Sequence, residues 1–216
     1  MKITKFGQSC LLIETTKEEG GEARIILDPG SFSTAQNDLK NIDLVLITHD
    51  HCDHLDMDSL KQILANNPNA EVITNADVQA QLEKEGIKSE VLAHGETVTK
   101  RGILLEGVGD KHAILISSMP QSPNVGFIVA ERLFYPGDAL TIPSKPIEIL
   151  ALPAAAPWAK LSEVVDYGIA IKPRVAFPVH DSILSNPSMM QGMLTPVFAD
   201  AGVLFKPVEL NTEYEF

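Results

Sequence analysis

The sequence predicts an α/β protein in which two β-sheets pack face to face, with helices on both outer faces. Short apolar runs recur along the chain, each about as long as a strand and bounded by Gly, Pro, Asn or Asp. Stretches with helical spacing of apolar residues are fewer. A strand-rich stretch followed by alternating strands and helices occurs twice. We therefore expect residues 1–216 to form one domain built of two similar halves.

The strands are predicted from runs rich in β-branched and other apolar residues. In chain order they are KITKF, CLLIET, ARIILD, IDLVLIT, AEVIT, GILLEGV, AILIS, GFIVA, RLFYP, IEILALP, RVAFPV and VLFKPV. The stretch EEGG at 18–21 separates two of these runs and predicts a hairpin loop.

Four helices follow from apolar residues at helical spacing. They are predicted over Met57–Asn66, Ala76–Glu85, Leu161–Ile171 and Ser188–Ala201. Gly86 is placed to end the second helix. Pro196 is expected to interrupt the fourth, because proline lacks the N–H that a helix interior needs.

Composition excludes several classes of protein. The chain of 216 residues is 44% hydrophobic and 21% charged, which is ordinary for a globular protein. A net charge of −12 makes nucleic acid a poor partner, because an acidic surface repels phosphates. No apolar run is long enough to span a membrane. Two cysteines are too few for a disulfide framework, which favours a reducing compartment. No secretory leader is visible at the N-terminus, so we expect a cytoplasmic protein.

The most informative stretch is LITHDHCDHLD at 46–56, which follows the strongly apolar run IDLVLIT. His49, His51 and Asp53 are spaced by two, so they point the same way in an extended chain, and His54 follows at once. Imidazole and carboxylate groups bind zinc, and also iron or manganese.

Four candidate ligands exceed what one open catalytic zinc takes, which is about three protein ligands. Two divalent metal ions sharing the loop explain the number better, with further ligands supplied from elsewhere in the chain. The remaining polar residues have structural explanations. Asp56 and Asp58 are placed to stabilise the start of the helix near Met57, and Asp50 is expected in solvent or in a hydrogen bond.

The order His49-Asp50-His51-Cys52-Asp53-His54 matches the H-x-H-x-D-H motif and resembles the metallo-β-lactamase superfamily. The segments FGQSCLLIE, IILDPG, LFYPGDA and LPAAAPW…KPRVAFPVH are similar to the group of ascorbate-6-phosphate lactonase-like hydrolases. The resemblance covers nearly the whole chain. It implies a four-layer αββα sandwich with a dinuclear metal site along one edge.

The resemblance also implies a ligand set. One metal would be held by His49, His51 and a third histidine, and the other by Asp53, His54 and His180, with Asp138 bridging them. The third histidine is either His112 or His94, and the order and spacing to Asp138 favour His112. Asp53 and Asp138 are the expected catalytic residues, because either can hold and orient an attacking water.

Other residues near these motifs have weaker assignments. Asp28 in LDPG is expected to accept a hydrogen bond from a metal-binding histidine. Trp158 either walls the substrate pocket or packs structurally. Cys52 is expected to be a small packed side chain. We expect Asp110 and Asp181 to be solvated and Tyr135 to be buried with its hydroxyl bonded.

The predicted function is hydrolysis of a small-molecule ester, lactone or phosphodiester, with two divalent ions as cofactors. We expect zinc, and manganese or iron also suit these ligands. Alternatives are a nuclease or RNA-processing hydrolase of the same superfamily, and a non-catalytic metal-binding protein that keeps the fold. The acidic end ELNTEYEF is either loose or packed against a second copy of the chain, so a homo-oligomer stays open.

Overall fold

The structure, a computed structural model, describes residues 1–216 and contains two seven-stranded sheets. The first sheet is built from the N-terminal half of the chain. Its strands are β1 (Lys2–Lys5), β2 (Leu11–Thr16), β3 (Glu22–Leu27), β4 (Leu44–Leu46), β5 (Glu71–Thr74) and β6 (Glu90–Val91). Strands β1 to β3 are antiparallel, and β3 to β6 run parallel.

The second sheet repeats this pattern. Its strands are β7 (Thr97–Lys100), β8 (Ile103–Val108), β9 (Gly126–Val129), β10 (Leu133–Tyr135), β11 (Ile149–Pro153), β12 (Val175–Val179) and β13 (Leu204–Phe205). Strands β7 to β10 are antiparallel, and β10 to β13 run parallel. A last strand, β14 (Glu213–Glu215), returns to the first sheet and pairs with β1.

Helices cover the outer face of each sheet. Helices α1 (Met57–Asn66) and α2 (Ala76–Lys84) follow strands of the first sheet, and α3 (Leu161–Ile171) and α4 (Pro187–Asp200) follow strands of the second. A cluster of 23 buried residues fills the space between the sheets. Smaller clusters of 15 and 12 lie beneath the two helical layers. The predicted αββα sandwich is therefore confirmed. None of the helices combines the length and apolarity needed to cross a membrane.

Parallel strands place their following loops at a common edge, where both halves of the chain meet. The histidine-rich loop follows β4, and His180 follows β12 directly. The two halves are joined there by backbone hydrogen bonds from Val125 N to Thr48 O and from His180 N to Gln8 O, at 3.0 and 2.7 Å.

Several local predictions are confirmed. Asp56 is the N-cap of α1 and accepts a hydrogen bond from the backbone N–H of Ser59 at 2.9 Å. Gly86 follows α2 with a φ of +73°, which favours glycine. The EEGG segment joins the antiparallel strands β2 and β3.

The predicted strand AILIS at 113–117 is wrong. The backbone leaves strand β8 after Val108, and the N–H of His112 donates to Ser122 O at 2.8 Å and closes a loop. Ile114, Leu115 and Ile116 lie on the surface of this loop. An apolar run of that length satisfies the pattern of a strand, but no neighbouring strand is available to pair with it.

The predicted interruption at Pro196 is also wrong, since α4 continues through it. Pro196 has no N–H to donate to the carbonyl of Gly192, one turn earlier in the helix. Both residues are exposed. Water can therefore satisfy that carbonyl. The short, polar edge strands β6, β7 and β14 were not predicted, because edge strands carry little apolar patterning.

Candidate metal centre

The loop after β4 supplies four of the predicted ligands. His49 and His54 are buried, while His51 and Asp53 are half-buried. The loop is tightly folded, with His54 N and Leu55 N both donating to His51 O. This turn is what sends His54 in a different direction from His49 and His51.

The second half supplies the remaining three. His112 follows β8, Asp138 follows β10 and His180 follows β12, and all three side chains are buried. The structure places the predicted ligands in two groups. Within each group, the atoms that could bind a metal all lie within 4.8 Å of one another. His49, His51, His112 and Asp138 form one group, and Asp53, His54 and His180 form the other.

The carboxylate of Asp138 lies between the two groups. Its Oδ2 is 3.2 Å from Nε2 of His112, which belongs to the first group. Its Oδ1 is 2.8 Å from Nε2 of His180 and 3.1 Å from Nε2 of His54, which belong to the second. One oxygen therefore faces each group.

The buried histidines are oriented by partners on their outward nitrogen. In His54, Nδ1 lies 2.6 Å from Asp28, and in His49 it lies 2.9 Å from Thr48 Oγ1. In His112, Nδ1 lies 2.6 Å from Ala113 O, and in His180 it lies 2.9 Å from the side-chain amide of Gln8. A proton held on Nδ1 leaves the Nε2 lone pair free to bind a cation.

The inward atoms fit a cation. Nε2 of His49, Nε2 of His112 and Oδ1 of Asp138 are buried without any hydrogen-bond partner. Nε2 of His54 and Nε2 of His180 are only 2.8 Å apart. In neutral rings whose single proton sits on Nδ1, these nitrogens have no hydrogen to give to each other or to Asp138, so lone pairs converge. Histidine nitrogens and carboxylate oxygens are the donors that divalent zinc, iron and manganese take.

The electrostatics agree with this fit. Burial lowers the pKa of His49 well below its usual range, with His54 adding to the effect, so His49 is neutral and able to bind metal at pH 7. Burial opposes a charge on His54, but Asp138 and Asp28 prevail and raise its pKa. The two carboxylates therefore favour a positive charge at His54, which a divalent cation supplies as well as a proton does.

Two glycines permit the backbone to approach the centre closely. A Cβ at Gly30 would lie 2.0 Å from the carbonyl carbon of Asp53, so no other residue fits beside the ligand loop. Gly137 has a φ of +63°, and a Cβ there would lie 2.4 Å from Oδ1 of Asn124. This close approach lies directly before Asp138, where a residue with a Cβ would not fit.

The structure separates the two candidates for the third histidine. His112 lies in the ligand group, whereas His94 is exposed and accepts a hydrogen bond from Gly109 N at 2.9 Å. Asp28 is buried and accepts hydrogen bonds from His54, from Thr48 N and from Thr48 Oγ1, as predicted.

Other neighbours differ in how well they were predicted. Tyr135 is buried and donates its hydroxyl to Ser9 O at 3.0 Å, and Asp50 is exposed and bonded to Gln81, both as predicted. The expectation that Cys52 is packed is wrong, because the tight turn directs its side chain to solvent.

Asp181 was expected in solvent, which is wrong. It is 2% exposed and forms a buried ion pair with Lys5, while Gln191 Nε2 donates to its other oxygen at 2.8 Å. Lys5 comes from β1 of the first sheet, so this pair ties the first half to the segment around His180. A lone Lys in a strand pattern carries no signal that it has such a partner.

Sequence reasoning also missed Gln8, and it left the role of Trp158 open. Trp158 is half-buried, and its Nε1 donates to Oδ2 of Asp138 at 2.8 Å. It therefore stands at the centre and is not simply packed away. Gln8 has an unpartnered Oε1, and half a turn of its amide lets that oxygen accept the Nδ1–H of His180.

Comparison with known proteins agrees with this geometry. The model of the β-lactamase superfamily domain matches residues 2–180. The chain belongs to the metallo-β-lactamase superfamily. Protein Rv0786c of Mycobacterium tuberculosis is 37% identical over 190 residues, which is 86% of each chain. A UPF0173 metal-dependent hydrolase of Flavobacterium johnsoniae is 36% identical over 101 residues, covering 44% of this chain and 41% of that protein.

A solved structure from Parabacteroides distasonis has the same fold. It superimposes with a TM-score of 0.77 at 24% identity, over 97% of this chain and 93% of that one. Fold and family are thus in agreement with the resemblance that the H-x-H-x-D-H stretch shows.

Proposed function

We propose that this member of the superfamily is a hydrolase that uses two divalent metal ions on an ester, lactone or phosphodiester bond of a small molecule. The observation that carries the proposal is the position of Asp138. Its two oxygens face separate groups of ligand atoms, and each group has enough members to hold one ion. The name of the Flavobacterium relative, a metal-dependent hydrolase, supports the same reaction class.

In this proposal His49, His51 and His112 hold one ion, Asp53, His54 and His180 hold the other, and Asp138 is shared. When bound, such ions supply Lewis-acid chemistry, lowering the pKa of water and polarising the bond under attack. Asp53 is the more exposed of the two carboxylates, at 17% against 4% for Asp138. It is therefore the residue that orients the attacking water and accepts its proton.

Trp158 has a positioning part in the same reaction. Its indole N–H neutralises part of the charge on the Oδ2 that faces His112. This leaves Oδ1, which has no hydrogen-bond donor, as the more basic oxygen of Asp138. The two oxygens of one carboxylate are thereby made unequal.

The ligand set favours zinc, and it also suits manganese or iron. A small molecule remains the proposed substrate, because the net charge of −12 disfavours nucleic acid. We place the protein in the cytoplasm, where its two cysteines stay free, as the structure has them.

Elemental analysis of the purified protein tests the metal. We expect up to two transition-metal ions per chain after reconstitution with zinc, manganese or iron. His51→Ala should lose metal, whereas His94→Ala is the matched control, since His94 lies outside both groups. A protein that binds no metal after reconstitution contradicts the proposal.

A panel of chromogenic substrates tests the reaction. A nitrophenyl ester, a lactone, bis(p-nitrophenyl) phosphate and a β-lactam represent the bond types that the superfamily chemistry can cleave. We expect metal-dependent turnover of at least one of the first three. Metal binding without turnover on any member would instead support a non-catalytic metal-binding protein.

A further inference from the structure

A cavity beside the loop that carries Trp158 has a different chemistry from the candidate metal centre. Its volume is about 530 Å³, and ten of its thirteen lining residues are hydrophobic. No Lys, Arg, Asp or Glu lines it. A volume of this size is typical of cavities that bind small molecules.

Two segments wall this cavity, and each has a link to the candidate centre. One is the loop after β11, from Ala154 to Ala159, and the other runs from Ile183 into helix α4. The first segment carries Trp158, whose Nε1 donates to Asp138. The second begins three residues after His180. The cavity therefore lies between the loop whose Trp158 bonds Asp138 and the segment that follows His180.

The loop with Trp158 separates this cavity from a polar one. Pro157 and Ala159 line the apolar cavity, whereas Trp158 and Lys160 line a cavity of about 610 Å³ that contains His112. The polar cavity also contains Asp110, Lys111 and Glu163. A ligand that crosses the loop would meet polar groups and the metal centre on one side and apolar groups on the other.

Methionines dominate the outer wall of the apolar cavity. Met189 and Met193 are spaced by four on α4, and they are 67% and 52% exposed. Met190 lines the cavity from a buried position. Methionine side chains are flexible and adapt to the shape of an apolar ligand. Their exposure leaves apolar surface that a bound ligand would cover.

We propose that this cavity holds an unbranched aliphatic chain of the substrate, while the ester or lactone group of the same molecule reacts at the metal centre. This inference rests on the proposed function and narrows its substrate class. An aliphatic chain matches a cavity that lacks charged side chains, and the cavity adjoins the loop that bonds Asp138. A phosphodiester whose two substituents are charged does not match this apolar cavity.

A series of p-nitrophenyl acetate, butyrate, hexanoate and octanoate tests the inference with the metal-loaded protein. We expect kcat/KM to rise by up to about fourfold for each added methylene until the cavity is full. Ser185→Phe introduces a ring from an exposed wall position, so the octanoate-to-acetate ratio should fall at least about tenfold. Ser188→Phe is the matched control, because Ser188 is exposed on α4 and does not line the cavity.

A binding measurement separates this inference from the proposed function. Trp158 is the only tryptophan, so its fluorescence reports on the loop between the cavities. We expect 1-octanol to change this fluorescence saturably, with an affinity at least about tenfold weaker in Ser185→Phe and unchanged in Ser188→Phe. Ethanol at matched concentration should have no saturable effect.

The outcomes are distinct. Ester hydrolysis without dependence on chain length, or no saturable binding of 1-octanol, overturns the inference and leaves the proposed function standing. Binding of 1-octanol without hydrolysis of any ester or lactone leaves the chain site standing and overturns the proposed reaction. A dimer that dissociates in Ser185→Phe, with no binding of 1-octanol, shows that the methionine wall contacts a second copy and also overturns the inference.

Discussion

The two halves of the molecule contribute to the candidate metal centre in different ways. The first half supplies His49, His51, Asp53 and His54 from one loop, and its own Asp28 and Thr48 fix two of those rings. The second half supplies single residues from three separate loops. Among these, His180 takes its orienting contacts from the first half, through Gln8.

This difference has a physical consequence. A loop that is fixed by its immediate neighbours keeps its shape when distant packing changes. A residue that is fixed across the sandwich depends on the two sheets being docked correctly. The second half of the centre should therefore be the more sensitive to substitutions far away in sequence.

Removing the residue that both groups share should have the largest effect. Asp138→Ala should lower kcat by about a thousandfold or more, because one carboxylate serves both groups of ligands. Metal content measured on the same preparation should fall as well. A variant that keeps two ions per chain and full turnover would show that Asp138 is not shared.

Breaking the ion pair between the halves should come next. Lys5→Met leaves the charge of Asp181 buried without a cation, so the free energy of unfolding should fall by about 3–5 kcal/mol in urea denaturation. The double variant Lys5→Met/Asp181→Leu should recover much of this loss. Lys17→Met provides the comparison within the first half, where the pair with Asp43 is partly exposed, and should cost about 1 kcal/mol or less. Equal losses at the two sites would contradict the comparison.

Removing the hydrogen-bond partner of His180 should weaken the binding of one metal ion and leave the binding of the other unchanged. Gln8→Leu deletes the group that faces Nδ1 of His180, so affinity at the Asp53, His54 and His180 group should fall about 10- to 100-fold. Competition with a chelator, fitted to two sites, measures this. Gln8→Glu restores an acceptor and should recover most of the affinity. An equal loss of metal affinity at both ligand groups would show that Gln8 does not act on the His180 group alone.

The smallest effect is expected at Glu148, far from the centre. Hydrogen bonds from Arg132 lower the pKa of Glu148 from 4.5 to about 2, against the opposing effect of burial and with the help of Arg174. Because the folded pKa is the lower one, the stabilisation is present above pH 4.5 and is lost as the pH falls towards 2.

Glu148 and its partners are partly exposed, so this contribution should be about 1 kcal/mol after solvent screening. Unfolding followed by circular dichroism across that pH range measures it. Glu148→Gln should flatten this part of the pH dependence. An unchanged slope in that variant would show that other carboxyl groups account for it.

Much of the fold was predictable because burial imposes periodic patterns on the sequence. Strands β4 and β12 are apolar on both faces, and helix α1 begins after its capping Asp56. Edge strands such as β7 lie partly in water and leave no such pattern. The loop at 113–117 shows the converse error, since an apolar run forms a strand only where a partner strand is available.

The sequence by itself determined the ligand loop, because His49, His51, Asp53 and His54 lie within six residues and local geometry brings them together. The resemblance to the superfamily pointed to Asp138 and His180, and their positions at strand ends agree with it. Only the tertiary structure decided that His112 joins the candidate centre, that Gln8 and Trp158 contact its residues, and that Lys5 pairs with Asp181. Two of these contacts, between Gln8 and His180 and between Lys5 and Asp181, join residues more than a hundred positions apart, and they form only when the two sheets are packed.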